Sequence, residues 1–158
     1  MAQTTAAFCQ SGYKVEISAD GVVWSDVSGV GVGVGVSGGE AHVGEQVTAE
    51  GQYAIVVPSN KIAPFDITIR SVYTEDAAEA FAVAYALFIG TDKQIYARWT
   101  PQPGGAAPNR FNTSTTGGIE SAVPIVACTP PALSASEYAP AVFELKLKTP
   151  ALFMDTPT

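Results

Sequence analysis

The sequence predicts a mainly β protein, an antiparallel sandwich or barrel with one flanking α-helix over about residues 75–89. Three observations carry this. Apolar and polar residues alternate in most segments, from Tyr13, Val15 and Ile17 to Phe143, Leu145 and Leu147, and a period of two is the strand period. That period changes convincingly only once, where Phe81, Tyr85 and Phe88 recur at helical spacing in an alanine-rich run. Strands that both precede and follow a lone helix, with Gly/Pro breaks between them, give an antiparallel architecture.

At 158 residues the chain is one domain with room for a core. It divides into an N-terminal arm (1–11), a β core with the helix (12–148) and a C-terminal tail (149–158). The first strand covers residues 13–18. Ala19-Asp20-Gly21 predicts a tight hairpin turn, because Asp-Gly favours positive φ, and residues 22–27 return. Next, Val30, Val32, Val34 and Val36 alternate with glycine. This strand has one apolar face and one face without side chains, and such glycines mark a bend or a close approach. Ser37-Gly38-Gly39 turns the chain, and residues 42–50 form a further strand or a long hairpin arm. Residues 53–57 are strongly β, and Pro58-Ser59-Asn60 breaks them.

Ile67 and Ile69 share one face of the strand over 66–70. Thr74 is placed to cap the helix, with Glu75 and Asp76 in its first turn, where negative charge suits the dipole. The aromatic stripe packs on a sheet, and Gly90 ends the helix. Residues 94–99 form a strand. Residues 100–118, rich in Gly and Pro, form a long loop. A short strand over 119–127 is broken by Pro124, residues 129–138 connect, and residues 142–148 are the clearest strand. The tail from Pro150 is short and proline-flanked.

The composition bounds the function. Hydrophobic residues make up 47% of the chain and charged ones only 15%, against roughly a quarter charged in soluble domains. A chain this poor in charge is expected to bury surface by self-association. The net charge of −7, with 8 basic residues, argues against tight phosphate binding, which needs clustered Lys and Arg. The longest apolar run, residues 77–89, is too short for a membrane span and contains Glu79. Residues 1–9 lack the features of a signal peptide. Cys9 and Cys128 lie far apart and are expected to be free thiols in a reducing cytosol.

No catalytic chemistry is legible. His42 is the one imidazole, and no nucleophile elbow, zinc motif or phosphate loop is present. Gly33-Val34-Gly35-Val36-Ser37-Gly38 matches the dinucleotide pattern, but that pattern works only between a strand and a helix, and the residues that follow alternate. Asp66, Glu75 and Asp76 are too sparse for a calcium loop. The expectation is no enzyme activity, no cofactor, and no catalytic or metal-binding residue. An Ig-like sandwich serving as a decoration or carbohydrate-binding module is the alternative reading.

The ordered motifs resemble tailed-bacteriophage major tail tube proteins. Residues 13–27, with Ser18-Ala19-Asp20-Gly21-Val22-Val23-Trp24, look like that family's opening strand pair before its valine- and glycine-rich strand. Residues 64–75 followed by the helix resemble its strand-then-helix unit. Residues 95–101, the loop to Phe111, and Ile119-Glu120-Ser121 fit as well, and Phe143-Glu144-Leu145-Lys146-Leu147 resembles its last strand. The likeness covers most of residues 10–148, and the same fold recurs in contractile tails and type VI secretion tubes. It implies homohexameric rings whose inner strands close a barrel, stacked into a tube through which DNA passes without specific binding. It also implies tape measure, tail terminator and distal tail proteins as partners, no membrane, and a place in the virion after assembly in the host cytoplasm. In this reading the acidic balance suits a sliding polyanion. Glu40, Glu45 and Glu50 are the expected lumen-facing residues, while loop 100–118 and the N-terminal arm would contact neighbouring rings.

Overall fold

The computed structural model describes residues 12–27, 31–47, 49, 51, 53–75, 79–101, 109–134 and 140–156. Its strands are β1 (Lys14–Ser18), β2 (Ser25–Asp26), β3 (Gly31–Gly38), β4 (Ala41–Gln46), β5 (Ile55–Ile62), β6 (Phe65–Val72), β7 (Gln94–Thr100), β8 (Arg110–Ser114), β9 (Val123–Thr129), β10 (Val142–Thr149) and β11 (Ala151–Asp155). Helix α1 spans Ala80–Ile89.

Two layers enclose the core. One is the antiparallel sheet β3-β6-β10-β9, and the other is β2-β1-β7-β8-β11. Strand β7 joins them. Its start, Gln94 and Ile95, pairs with β9, while Arg98 and Trp99 pair with β8. The result is an open sandwich, not a closed barrel. Alternation aims the core residues inward. On β10, Phe143, Leu145 and Leu147 are at most 2% exposed. Leu145 lies across from Ile69 on one side and Cys128 on the other, and Leu147 from Ile67 and Ile125. Val15 and Ile17 of β1 and Ile95 and Ala97 of β7 belong to the same core. Each such large side chain contributes about 1.5–3 kcal/mol by burial.

The helix packs as its stripe predicts but begins later. Glu79, not Thr74, is the N-cap, and no acidic residue lies in the first turn. Thr74 Oγ1 instead donates to Glu79 Oε2, tying the approach segment to the cap. Glu75 lies before the helix, and Asp76 falls outside the described residues. Phe81 meets Phe143 edge-on at 5.2 Å and stacks on Tyr85 at 5.3 Å. Gly90 N–H closes the helix onto Ala86 O and Leu87 O.

Five further expectations are corrected. The 19–24 turn is wider than a tight hairpin. Asp20 Oδ1 accepts from Val22 N and Val23 N, and Ser18 Oγ accepts from Gly21 N, so local side chains replace ladder bonds and β2 shrinks to two residues. Pro58 does not break its strand, because among the described residues β5 pairs only with β4 and an edge strand tolerates proline. Pro124 likewise lies inside β9, which begins at Val123. The long loop ends early, in β8, which starts at Arg110. The tail supplies β11, which pairs along β8 from Ala151↔Ser114 to Asp155↔Arg110.

Candidate assembly surface

The glycine-valine strand leads directly into a strongly exposed hairpin. β3 pairs with β6 from Gly31↔Ser71 to Gly38↔Phe65. The ribbon then continues, with Ala63 N–H bonding Glu40 O at 2.9 Å and Ala41 facing Ile62. At the junction Gly38 and Gly39 take φ of +82° and +71°. A Cβ at Gly38 would strike Pro64 O, and one at Gly39 would strike the Phe65 ring. Glycine is therefore required there, and it bends the ribbon away from the sandwich. The strand that follows the false dinucleotide motif is β4, so the helix that motif needs is absent.

Beyond the bend, β4 and β5 form a separate two-stranded sheet. Every residue of β4 and all but one of β5 are exposed. At about 3.3 Å per residue the paired strands run for about 20 Å. Val43 and Val56 lie on one face, and Ile55 and Val57 on the other, as the pairing Val43↔Pro58, Glu45↔Val56 and Gln46↔Ile55 dictates. All four are more than half exposed, as are Ile62 and, at 83%, Tyr53. A lone two-stranded hairpin is marginal in water, and apolar side chains on both faces suit an arm embedded between neighbours.

The four-stranded sheet offers two more contacts. Among the described residues β3 pairs only with β6, which leaves its outer edge without a strand partner there. β9 gives that side to β7 only at Val123 and Pro124, with Ile125 N–H bonding Lys93 O. From Val126 to Thr129 no outer strand partner exists among the described residues. The sheet thus ends in two open, antiparallel edges.

The outward face of the second layer is closed by ion pairs. Arg98 Nε donates to Glu16 Oε2 at 2.8 Å, and its guanidinium lies 3.7 Å over the Trp24 ring. Arg110 Nε donates to Asp155 Oδ1 at 3.0 Å, and Asn112 Nδ2 donates to the same oxygen at 3.2 Å. Arg110, with help from Asn112, outweighs burial and holds the Asp155 carboxyl below its ordinary range. Burial pushes Glu16 up, but hydrogen bonds from Arg98 and Lys14 outweigh it and the net shift is down. Glu120 is opposite: burial raises it above the usual carboxylate range, against Arg98 and Arg110. Its Oε1 and the Asn112 Oδ1 are buried without a partner.

The expected lumen residues are placed as follows. Glu40 immediately precedes β4, Glu45 is on β4 across from Val56, and Glu50 lies outside the described residues. His42 is exposed on β4. Cys128 is buried as a free thiol and pushed up to about 11 by desolvation, while Cys9 lies outside the described residues. Most of loop 100–118 before Asn109, and residues 1–11, also lie outside them. No group of three or more His, Cys, Asp or Glu side chains fit to hold a metal occurs among the described residues, and no helix there is long and apolar enough to cross a membrane.

The described residues form an open two-layer β sandwich with a flanking helix and a projecting apolar arm. The chain has the tail tube fold. It superposes on the SPP1 tail tube with a TM-score of 0.68 at 12% identity, covering 96% of this chain and 80% of that one. A chain of the PVC sheath–tube complex of an extracellular contractile injection system, in its extended state, gives 0.66 at 14% identity, with 97% and 94% covered. A chain from the virion of a native gene transfer agent particle gives 0.57 at 13% identity, with 95% and 100% covered. No protein-family model matches the sequence, and no curated protein does.

Proposed function

We propose that this chain is a structural virion protein, the major subunit of a phage tail tube. Six copies close into a ring by joining the free β3 edge of one copy to the free β9 edge of the next, making one continuous inner sheet. Rings stack through the β4–β5 arm, and DNA passes along the channel without sequence-specific binding. Glu40 and Glu45, and Glu50 beyond them, face that channel. The protein acts by assembly and not by catalysis. Its partners are its own copies and the tail proteins that set tube length and cap its ends. Assembly takes place in the host cytoplasm.

The observation that carries this reading is the arm, with apolar side chains exposed on both faces. A monomeric sandwich used as a binding module would leave that surface in water. Negative-stain microscopy of the purified full-length chain tests the proposal. Rings or tubes with sixfold symmetry are expected. A strictly monomeric 16.4 kDa species at high concentration in assembly buffer would count decisively against it.

A further inference from the structure

The exposed face of the four-stranded sheet carries a charge pattern unlike the rest of the chain. It holds Arg70, Lys146 and Lys148, three of the eight basic residues, but only Asp66 and Glu144 of the fifteen acidic ones. The face is net +1 on a chain of −7, which leaves −8 for everything else. Register places these charges opposite one another. Lys148 lies across from Asp66 and contacts it at 3.3 Å. Glu144 lies across from Arg70 at 3.9 Å and also takes Lys146 at 3.0 Å. All five side chains are between 35% and 56% exposed, so the pairs contribute little to the fold. Their effect is on the field above the sheet, because one carboxylate occupies two cations.

Next to this ladder, β3 places Gly33 opposite Arg70 and Gly35 opposite Thr68. Nothing lies within 4 Å of a Cβ at Gly33. The cations are therefore open to a long ligand from that side. Lys146 and Lys148 are two strand residues apart, about 7 Å, and with Arg70 they form a short basic row.

We infer that this face is the one the chain turns toward a phosphate polymer, and that Glu144, helped by Asp66, keeps its cations from gripping that polymer. Clustered Lys and Arg hold phosphates by releasing counterions, and the hold scales with the number left unpaired. Removing Glu144 frees Arg70 and Lys146 together. The inference rests on the tube reading only for how the face comes to meet DNA.

The test is duplex DNA binding by the full-length chain, read by fluorescence anisotropy, with assembly of each variant checked by microscopy. Glu144→Gln is expected to tighten binding about tenfold at 50 mM salt, and the gain should vanish by about 200 mM. Adding Lys146→Gln should return binding toward the wild-type level. Asp66→Asn, which frees Lys148, is an independent second probe and should give a smaller gain. If folded Glu144→Gln and Asp66→Asn both bind DNA no better than wild type, the inference is wrong, even where tubes form. If the variants gain affinity but no tubes form, the tube reading fails and this inference stands. A larger gain for poly-glutamate than for DNA would assign the face to an acidic polypeptide and overturn it.

Discussion

The same substitution at neighbouring glycines should have opposite effects. At Gly35 the backbone is a strand without positive φ, and the nearest atom to a new Cβ is Thr68 O at 4.0 Å. Alanine there removes glycine's excess unfolded-state entropy and should stabilise the protomer by about 0.5–1 kcal/mol. At Gly39 the backbone has φ +71° and the new Cβ would collide with the Phe65 ring. Left-handed backbone costs a non-glycine residue about 1–2 kcal/mol. Displacing a ring that is packed against the bend adds about 1–3 kcal/mol. Gly39→Ala should therefore destabilise by about 2–5 kcal/mol. Urea unfolding followed by tryptophan fluorescence, at a concentration where the chain is monomeric, measures both. In a domain of this size 1 kcal/mol moves Tm by about 2–4 °C, so the two variants should separate clearly. Equal stabilities would refute the bent ribbon and with it the projection of the arm.

Other outcomes follow from the same geometry. Replacing Ile55 and Val57 with Ser should leave monomer stability within about 0.5 kcal/mol, as exposed surface changes do, while abolishing tubes in micrographs. Glu16 and Asp155 are both held below the ordinary carboxylate range. Their contribution to stability is complete above the unfolded pKa of about 4 and fades as pH falls through the lower folded value. Acid titration of Arg110→Gln should accordingly show less loss of Tm below pH 4 than wild type. Glu120 runs the other way: raised by burial, it costs stability as pH rises past its unfolded value. Glu120→Gln should add about 1 kcal/mol at pH 7 and nothing at pH 3, by differential scanning calorimetry. Reversing Glu40 and Glu45 to Lys should still give tubes but slow DNA ejection from virions, and unchanged ejection kinetics would remove them from the channel wall.

What the sequence revealed and concealed has a physical pattern. β10 was legible because Phe143, Leu145 and Leu147 face the core while Glu144, Lys146 and Lys148 face out. The alternation of β3 was legible from its valines, but its glycine face holds no close approach at Gly33 or Gly35. The bend falls at Gly38 and Gly39, and the strand that follows the GxGxxG match rules out the helix that motif needs. β8 was not legible. Asn112, Thr113 and Ser114 are buried on both faces of the strand, yet these residue types read as loop. The Thr113 and Ser114 hydroxyls are satisfied by bonds found only in the fold, such as Ala97 N–H to Thr113 Oγ1 and Ser114 Oγ to Ile119 O. Two prolines misled for one reason: Pro58 and Pro124 lie on strands with an unpaired side or at a strand start, where a missing N–H costs no ladder bond. The basic row was hidden because Arg70 lies far from Lys146 and Lys148 in sequence, and only the β6–β10 register joins them.

The edges of the four-stranded sheet extend the argument for assembly. Proteins that remain monomeric guard open strands with lysine, inward charges, proline or a covering element. Among the described residues of β3 there is no charged residue and no proline, only glycine, valine and serine. On β9 the single proline sits at the end already used by β7, and the free end presents Val126, more than half exposed. Asp66, Arg70, Glu144, Lys146 and Lys148 stand instead on the two inner strands, β6 and β10. Charge is thus kept off both edges and concentrated on the face between them, the reverse of a guarded sheet. Placing Lys at Gly35, where a new Cβ meets nothing closer than 4.0 Å, or at exposed Val126 should restore such a guard. The expected result is a folded monomer that forms no rings. Rings that survive both substitutions would mean that the subunits meet through some other surface.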